Sequence, residues 1–116
     1  LAGIDGEAEP AAFAPDELCY IQYSSGSTSA PKGVIGTQAS VNANLHGITK
    51  HGLKLRPDDR ATSWLPLYHD MGLIGFALAP MYGQRSVDFI ATSDFVRRPL
   101  LWLRLMSDNR ATITYS

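Results

Sequence analysis

Cysteine is almost missing from this chain. Cys19 stands alone among 116 residues, which excludes an internal disulfide framework, fits a reducing compartment such as the cytoplasm, and leaves Cys19 to be read as a small buried hydrophobe. Long apolar runs are also missing; no stretch approaches the roughly 20 residues that cross a bilayer, so no membrane span is expected. Charge is sparse and balanced. Ten basic residues face eleven acidic ones for a net charge of −1, and the longest basic run is Arg97-Arg98, so nothing suggests nucleic acid as a partner. A charged share of 18% is too low for a disordered tail, and a hydrophobic share of 45% is enough for one modest core. There is no initiating Met, no basic-then-apolar leader, and the chain stops at Ala111-Thr-Ile-Thr-Tyr-Ser116 just as a strand is forming. It is therefore expected to be a piece of a longer protein.

What the chain does have is a hydroxyl-rich loop closing on one lysine, Tyr23-Ser-Ser-Gly-Ser-Thr-Ser-Ala-Pro-Lys-Gly-Val34, directly after an apolar run. This is the chemistry of a polyphosphate cradle. Ser24, Ser25, Ser27 and Thr28 offer donors to phosphate oxygens, Lys32 brings a compact charge, and Gly26 and Gly33 are expected to free the backbone. The commoner phosphate loop, Gly-x4-Gly-Lys-Ser/Thr, does not match: Lys32 follows Pro31 and precedes Gly33, where that loop has the hydroxyl that holds magnesium. A mobile Gly/Ser linker is the bland alternative, against which the Pro31-Lys32-Gly33 ending and the upstream strand both argue.

Around this loop the pattern is α/β. Residues 1–16, with Pro10 and Pro15, read as a surface lead-in, and 17–116 as the core segment. Leu18–Tyr23 predicts a strand covered on both faces, Val34-Ile35 a second, Ala61–Pro66 a third, Ser86–Ile90 a fourth and Thr112–Tyr115 a fifth. Helices are expected from a Thr37 cap to about Lys50, from Met71 to Tyr82 with Gly83 as its stop, and from Leu100 to Met106 after Pro99. Strands alternating with helices predict a mainly parallel sheet. Ligands on such sheets gather beyond the strands' C-terminal ends, where both the hydroxyl loop and Pro66-Leu-Tyr-His-Asp-Met-Gly72 are expected.

That second segment sets His69 beside Asp70 and then enters an apolar helix containing Gly72 and Gly75. Taken alone, His69 reads as an ordinary surface or core histidine, and Asp70 as a helix N-terminal cap or as a partner that orients His69. His46 and His51 lack metal-site spacing. Trp102, Leu101, Leu105 and Met106 make an apolar face of core type, and Arg97, Arg98 and Arg104 fall on the solvated side, within reach of Asp94 and Asp108.

Together the segments resemble the adenylate-forming superfamily of acyl-CoA synthetases, fatty acyl-AMP ligases, luciferases and peptide-synthetase adenylation domains. Tyr23 to Gly33 follows its first motif with one departure, Ser29 in place of glycine. His69-Asp-Met-Gly-Leu-Ile-Gly75 resembles its second core motif in the wording of fatty acyl-AMP ligases, as do Phe95–Leu103 and Asn109–Thr112. The resemblance implies part of a large N-terminal domain, with a small C-terminal domain absent. It implies ATP and magnesium as cofactors, a fatty acid as substrate, and acyl carrier protein or coenzyme A as acceptor. In those terms Lys32 and His69 are the catalytic candidates, Ser24 to Thr28 with Lys32 and Gly33 bind nucleotide, and His69, Asp70, Met71, Gly72 and Gly75 meet the acyl substrate. The magnesium ligand and a further catalytic lysine would lie beyond Ser116. The alternatives are a non-catalytic remnant and a plain nucleotide-binding module.

Overall fold

The computed structural model describes residues 11–24 and 30–115, which belong to two compact units, Leu1–Val41 and Asn42–Ser116. The first unit is built on a hairpin. Strand β1 (Leu18–Ser24) pairs antiparallel with β2 (Lys32–Thr37), Leu18 opposite Thr37 at one end and Ser24 opposite Lys32 at the other. The expectation of a mainly parallel sheet therefore fails here, because residues 25–31 are too few for the dozen-residue crossover that parallel pairing requires. The expected double covering of β1 also fails. Leu18, Ile21, Tyr23 and Cys19 are exposed, since the described part of this unit is a two-stranded ribbon with too few residues for a second layer.

Thr37 ends β2 and caps α1 (Gln38–His46) as expected. The Ser40 N–H donates to Thr37 Oγ1 at 3.2 Å and the Thr37 N–H donates to Ser40 Oγ at 2.9 Å, a reciprocal capping box. The helix does not run on as α to Lys50. It widens into a π-helix over Gly47–Gly52, where the Leu53 N–H bonds the Ile48 carbonyl five residues back at 2.7 Å. At that transition the buried Thr49 hydroxyl donates to the Leu45 carbonyl at 2.8 Å, a back-bond that competes with the regular ladder.

The second unit is the α/β part. Strand β3 (Arg60–Ser63) pairs in parallel with β4 (Ser86–Phe89), and on its other side Ala61 bridges in parallel to Ile113. The strand expected over Thr112–Tyr115 is thus a single bridge with flanking bonds. The Thr112 and Ile113 N–H groups both converge on the Arg60 carbonyl, at 2.9 and 3.1 Å, so the ladder does not advance in step there. β3 is central, and the chain leaves it first to one side and then returns to the other.

The helix expected from Met71 to Tyr82 is three pieces: α2 (Asp70–Gly72), a π-helix over Leu73–Leu78, and α3 (Ala79–Gly83). Pro80 explains the interruption. It has no N–H, and its ring would strike the carbonyl four residues earlier in a regular α-helix, so the preceding turn adopts wider spacing, with the Ala79 N–H on the Ile74 carbonyl. The stop is not Gly83 but Gln84, which takes the left-handed conformation at φ 54°. A side chain on Gly83 would come within 2.8 Å of Leu55 Cδ1, so that glycine provides space.

After β4 come α4 (Thr92–Arg97), unmarked in the sequence pattern, and α5 (Leu100–Asp108) behind Pro99. Arg97 pairs with Asp94 at 2.6 Å and Arg104 with Asp108 at 3.6 Å, on exposed helix surface. The core gathers Leu45, Ala61, Phe76 and Ala79 with the small polar residues Thr49, Thr62 and Ser63. Beside it, Trp64 stacks on Phe95 at 3.9 Å, and Phe95 meets Trp102 edge-on at 6.0 Å. Among the described residues no helix is long and apolar enough to cross a membrane.

Candidate functional site

In the first unit the hairpin register decides where the lysine stands. Ser24 and Lys32 are cross-strand partners, which brings the two ends of the hydroxyl loop to within about 4.5–5.5 Å at Cα. Ser25, Gly26, Ser27, Thr28 and the departing Ser29 lie outside the described residues. Gly33 sits in extended β2, opposite Tyr23, with no left-handed backbone; a Cβ there would come within 3.0 Å of Ile21 Cγ2 and 3.6 Å of Tyr23 Cε1. The conformational freedom expected of Gly33 is therefore not used. Close cross-strand packing is.

In the second unit His69 and Asp70 form an exposed pair, His69 Nδ1 lying 2.7 Å from Asp70 Oδ1. The Met71 N–H lies 2.7 Å from the same carboxylate oxygen and 3.3 Å from His69 Nδ1. One nitrogen cannot both donate to Asp70 and accept from Met71. The shorter contacts are satisfied together when Nδ1–H donates to Asp70 and Met71 donates to Asp70 as well. That arrangement assigns the Nδ1 proton to the Asp70 contact. His69 holds the N-cap position of α2, and Asp70, its first helical residue, lies against the ring.

The two glycines of this segment differ in surroundings. Gly72 is buried, and a Cβ on it would run into the Pro66 carbonyl, 2.9 Å from its carbon and 3.3 Å from the Leu65 oxygen, so its neighbours are backbone. Gly75 instead faces Tyr115, whose hydroxyl occupies the place a Cβ would take. Asp70, Met71, Ile74, Gly75 and Tyr115, with Asn44 and Ile48, line an open groove. Tyr115 reaches it from two residues past Ile113, the residue that bridges to β3.

Lys32 and Ser24 belong to the first unit, whereas Asp70, Met71 and Gly75 meet on this groove in the second. Tyr115, Asn44, Ile48 and Ile74 were not singled out by motif. Tyr115 could have been found by asking which side chain ends the fifth expected strand.

Burial raises the Tyr115 phenol above its usual range. Its ring packs on Phe76 with centroids 4.3 Å apart. At the opposite end of β3, the Arg60 fork grips Asp88 at 2.8 and 3.1 Å and holds that carboxyl below the ordinary range. Asp59 is lowered as well, chiefly by the Arg56 backbone N–H at 2.7 Å and then by the Thr112 hydroxyl at 2.8 Å. Among the described residues no three His, Cys, Asp or Glu side chains group as a metal site.

Comparison with known proteins gives a consistent result. A family model described as AMP-binding enzyme matches residues 2–116. A Caulobacter vibrioides protein named as an acyl-CoA synthetase is 53% identical over 112 residues, 97% of this chain and 20% of its own length. A medium-chain-fatty-acid–[acyl-carrier-protein] ligase of Teredinibacter turnerae is 40% identical over 112 residues, 94% of this chain and 17% of its own. The crystal structure of a fatty acyl-adenylate ligase from L. pneumophila, in complex with acyl adenylate and pyrophosphate, superposes with a TM-score of 0.85 at 35% identity, over 93% of this chain and 19% of that one. The chain spans about a fifth of the length of these relatives.

Proposed function

Because the chain belongs to the AMP-binding enzyme family, we propose that it is part of the ATP-handling domain of a fatty-acid-activating ligase acting in the cytoplasm. What supports this reading is the Ser24–Lys32 register, which pairs the residues at the two ends of the hydroxyl-rich segment across adjacent strands. A fatty carboxylate is unreactive toward thiols because its leaving group would be oxide. In the proposed reaction a carboxylate oxygen attacks the α-phosphorus of ATP, the bond from that phosphorus to the bridging oxygen of pyrophosphate breaks, and an acyl-adenylate remains. A thiol of acyl carrier protein or coenzyme A then displaces AMP.

The work assigned to this chain is electrostatic. Charge builds on the departing pyrophosphate, and donors from Ser24, Ser25, Ser27 and Thr28 with the Lys32 ammonium would stabilise it. Gly26 and Gly33 would keep the backbone close to the phosphates. His69 stands against Asp70, which lines the groove, and Met71 and Gly75 supply its apolar wall. Gly72 holds the helix against the Pro66 backbone and so aligns that wall. Magnesium is part of the proposal for the whole enzyme. The described residues provide no ligand set for it.

The test is fatty-acid-dependent ATP–pyrophosphate exchange by the full-length parent, with and without coenzyme A. Lys32→Ala is expected to lower exchange by about 10- to 100-fold, the loss of one or two charge-assisted contacts. An unchanged rate would remove Lys32 from the phosphate grip, and a folded parent that exchanges with no acid would be the remnant. Acyl-adenylate that accumulates despite coenzyme A selects acyl carrier protein as the acceptor.

A further inference from the structure

Two features meet at Gly75. Outside it lies the open groove with Ile48, Met71 and Ile74 as its apolar wall; on its inner side lies a small apolar cleft lined by Leu53, Leu55, Ala79 and Pro80. Gly75 lines both spaces, and the Tyr115 hydroxyl rests directly on it. The ring is backed by Phe76, which is 1% exposed, so Tyr115 has no room to sink further. Gly75 lies within the π-helical stretch Leu73–Leu78, a local departure often found at functional sites.

We propose that Tyr115 is a specificity-determining residue, a plug that seats on Gly75, ends the groove, and limits how far an apolar acyl chain reaches toward the inner cleft. This rests on the fatty-acid reading above. Removing the ring opens Gly75 as a passage between groove and cleft, while a methyl at Gly75 drives the ring out into the groove and shortens it. The pair therefore acts as a unit: Gly75 is needed only because Tyr115 sits on it.

The experiment compares the wild-type full-length parent with Tyr115→Ala, Tyr115→Phe, Gly75→Ala and the Gly75→Ala/Tyr115→Ala double variant. The assay is exchange kcat/KM across saturated fatty acids of graded length. Tyr115→Ala is expected to shift the ratio of longer to shorter acids by about tenfold for each two further methylenes buried. Tyr115→Phe, which keeps the ring, is expected to hold the wild-type profile. Gly75→Ala is expected to favour shorter acids, and the double variant to regain the longer ones. An unchanged length profile in Tyr115→Ala, with exchange retained, overturns the proposal alone. Exchange with no acid in a folded wild-type parent overturns the fatty-acid reading and the proposal with it. Thermal unfolding provides a readout independent of activity: Gly75→Ala should lower the midpoint less in the Tyr115→Ala background, and strictly additive shifts would overturn the seating.

Discussion

Replacing Gly72 with alanine sets two effects of opposite sign against each other. Gly72 lies in helical conformation, φ −69°, and helix propensity alone favours alanine there by about 1 kcal/mol. The added Cβ, however, would press on the Pro66 carbonyl, with its carbon 2.9 Å away. Backbone cannot rotate aside as a side chain can, so the overpacking cost falls toward the upper part of the usual range, about 1–3 kcal/mol. The net expectation is destabilisation by about 1–2 kcal/mol. Gly47 supplies the matched control. It too lies in a helical segment, but a Cβ there meets nothing within 4 Å, so Gly47→Ala should stabilise by about 0.5–1 kcal/mol. Thermal unfolding of the full-length parent reads the sign, and hydrogen exchange at residues 66–78 localises it. The midpoints should fall on opposite sides of wild type. A Gly72→Ala protein as stable as Gly47→Ala would refute the packing argument.

Asp59 gives a pH prediction. Its folded-state affinity for a proton is lowered, so its contribution to stability is present above the ordinary carboxylate value of about 3.9 and is lost as pH falls through the folded value. Asp59→Asn should therefore lower stability near neutrality and flatten the acid limb of the stability profile; a limb as steep as wild type would count against it. At the start of α1, Thr37→Ala removes the cap on the Ser40 N–H and should cost about 1 kcal/mol by denaturant unfolding, with Thr37→Ser retaining most of it.

Local rules made parts of both units legible. Thr37 marked its helix through a hydroxyl aimed at the first turn, and the alternation of apolar strands with helices indicated parallel pairing of β3 with β4. Effects beyond the local sequence were harder to see. The π-helical turn needs Pro80 to be weighed against a carbonyl four residues earlier, and hydropathy periodicity does not register that conflict. The covering of β1 failed because an apolar strand reports what it is made to meet, and the described residues of its unit supply no second layer. At the site, His69, Asp70 and Lys32 were named by motif, whereas Tyr115 was invisible as a functional residue because its role depends on a helix 40 residues earlier in the chain.

The glycines show most clearly why sequence and structure diverge here. Read along the chain, Gly33 and Gly83 suggested backbone freedom, the one in a phosphate loop and the other at a helix stop. None of the described glycines uses it. The left-handed positions belong to Lys54, Gln84 and Arg110, while Gly33, Gly72, Gly75 and Gly83 each stand where a Cβ would meet Ile21, Pro66, Tyr115 or Leu55. These four glycines stand where the space beside them is taken, and such space is a property of two segments brought together. That is why Gly72 and Gly75, only a helical turn apart, have different consequences. One presses a helix onto rigid backbone and sets stability; the other receives a side chain that can be exchanged, and so can set specificity.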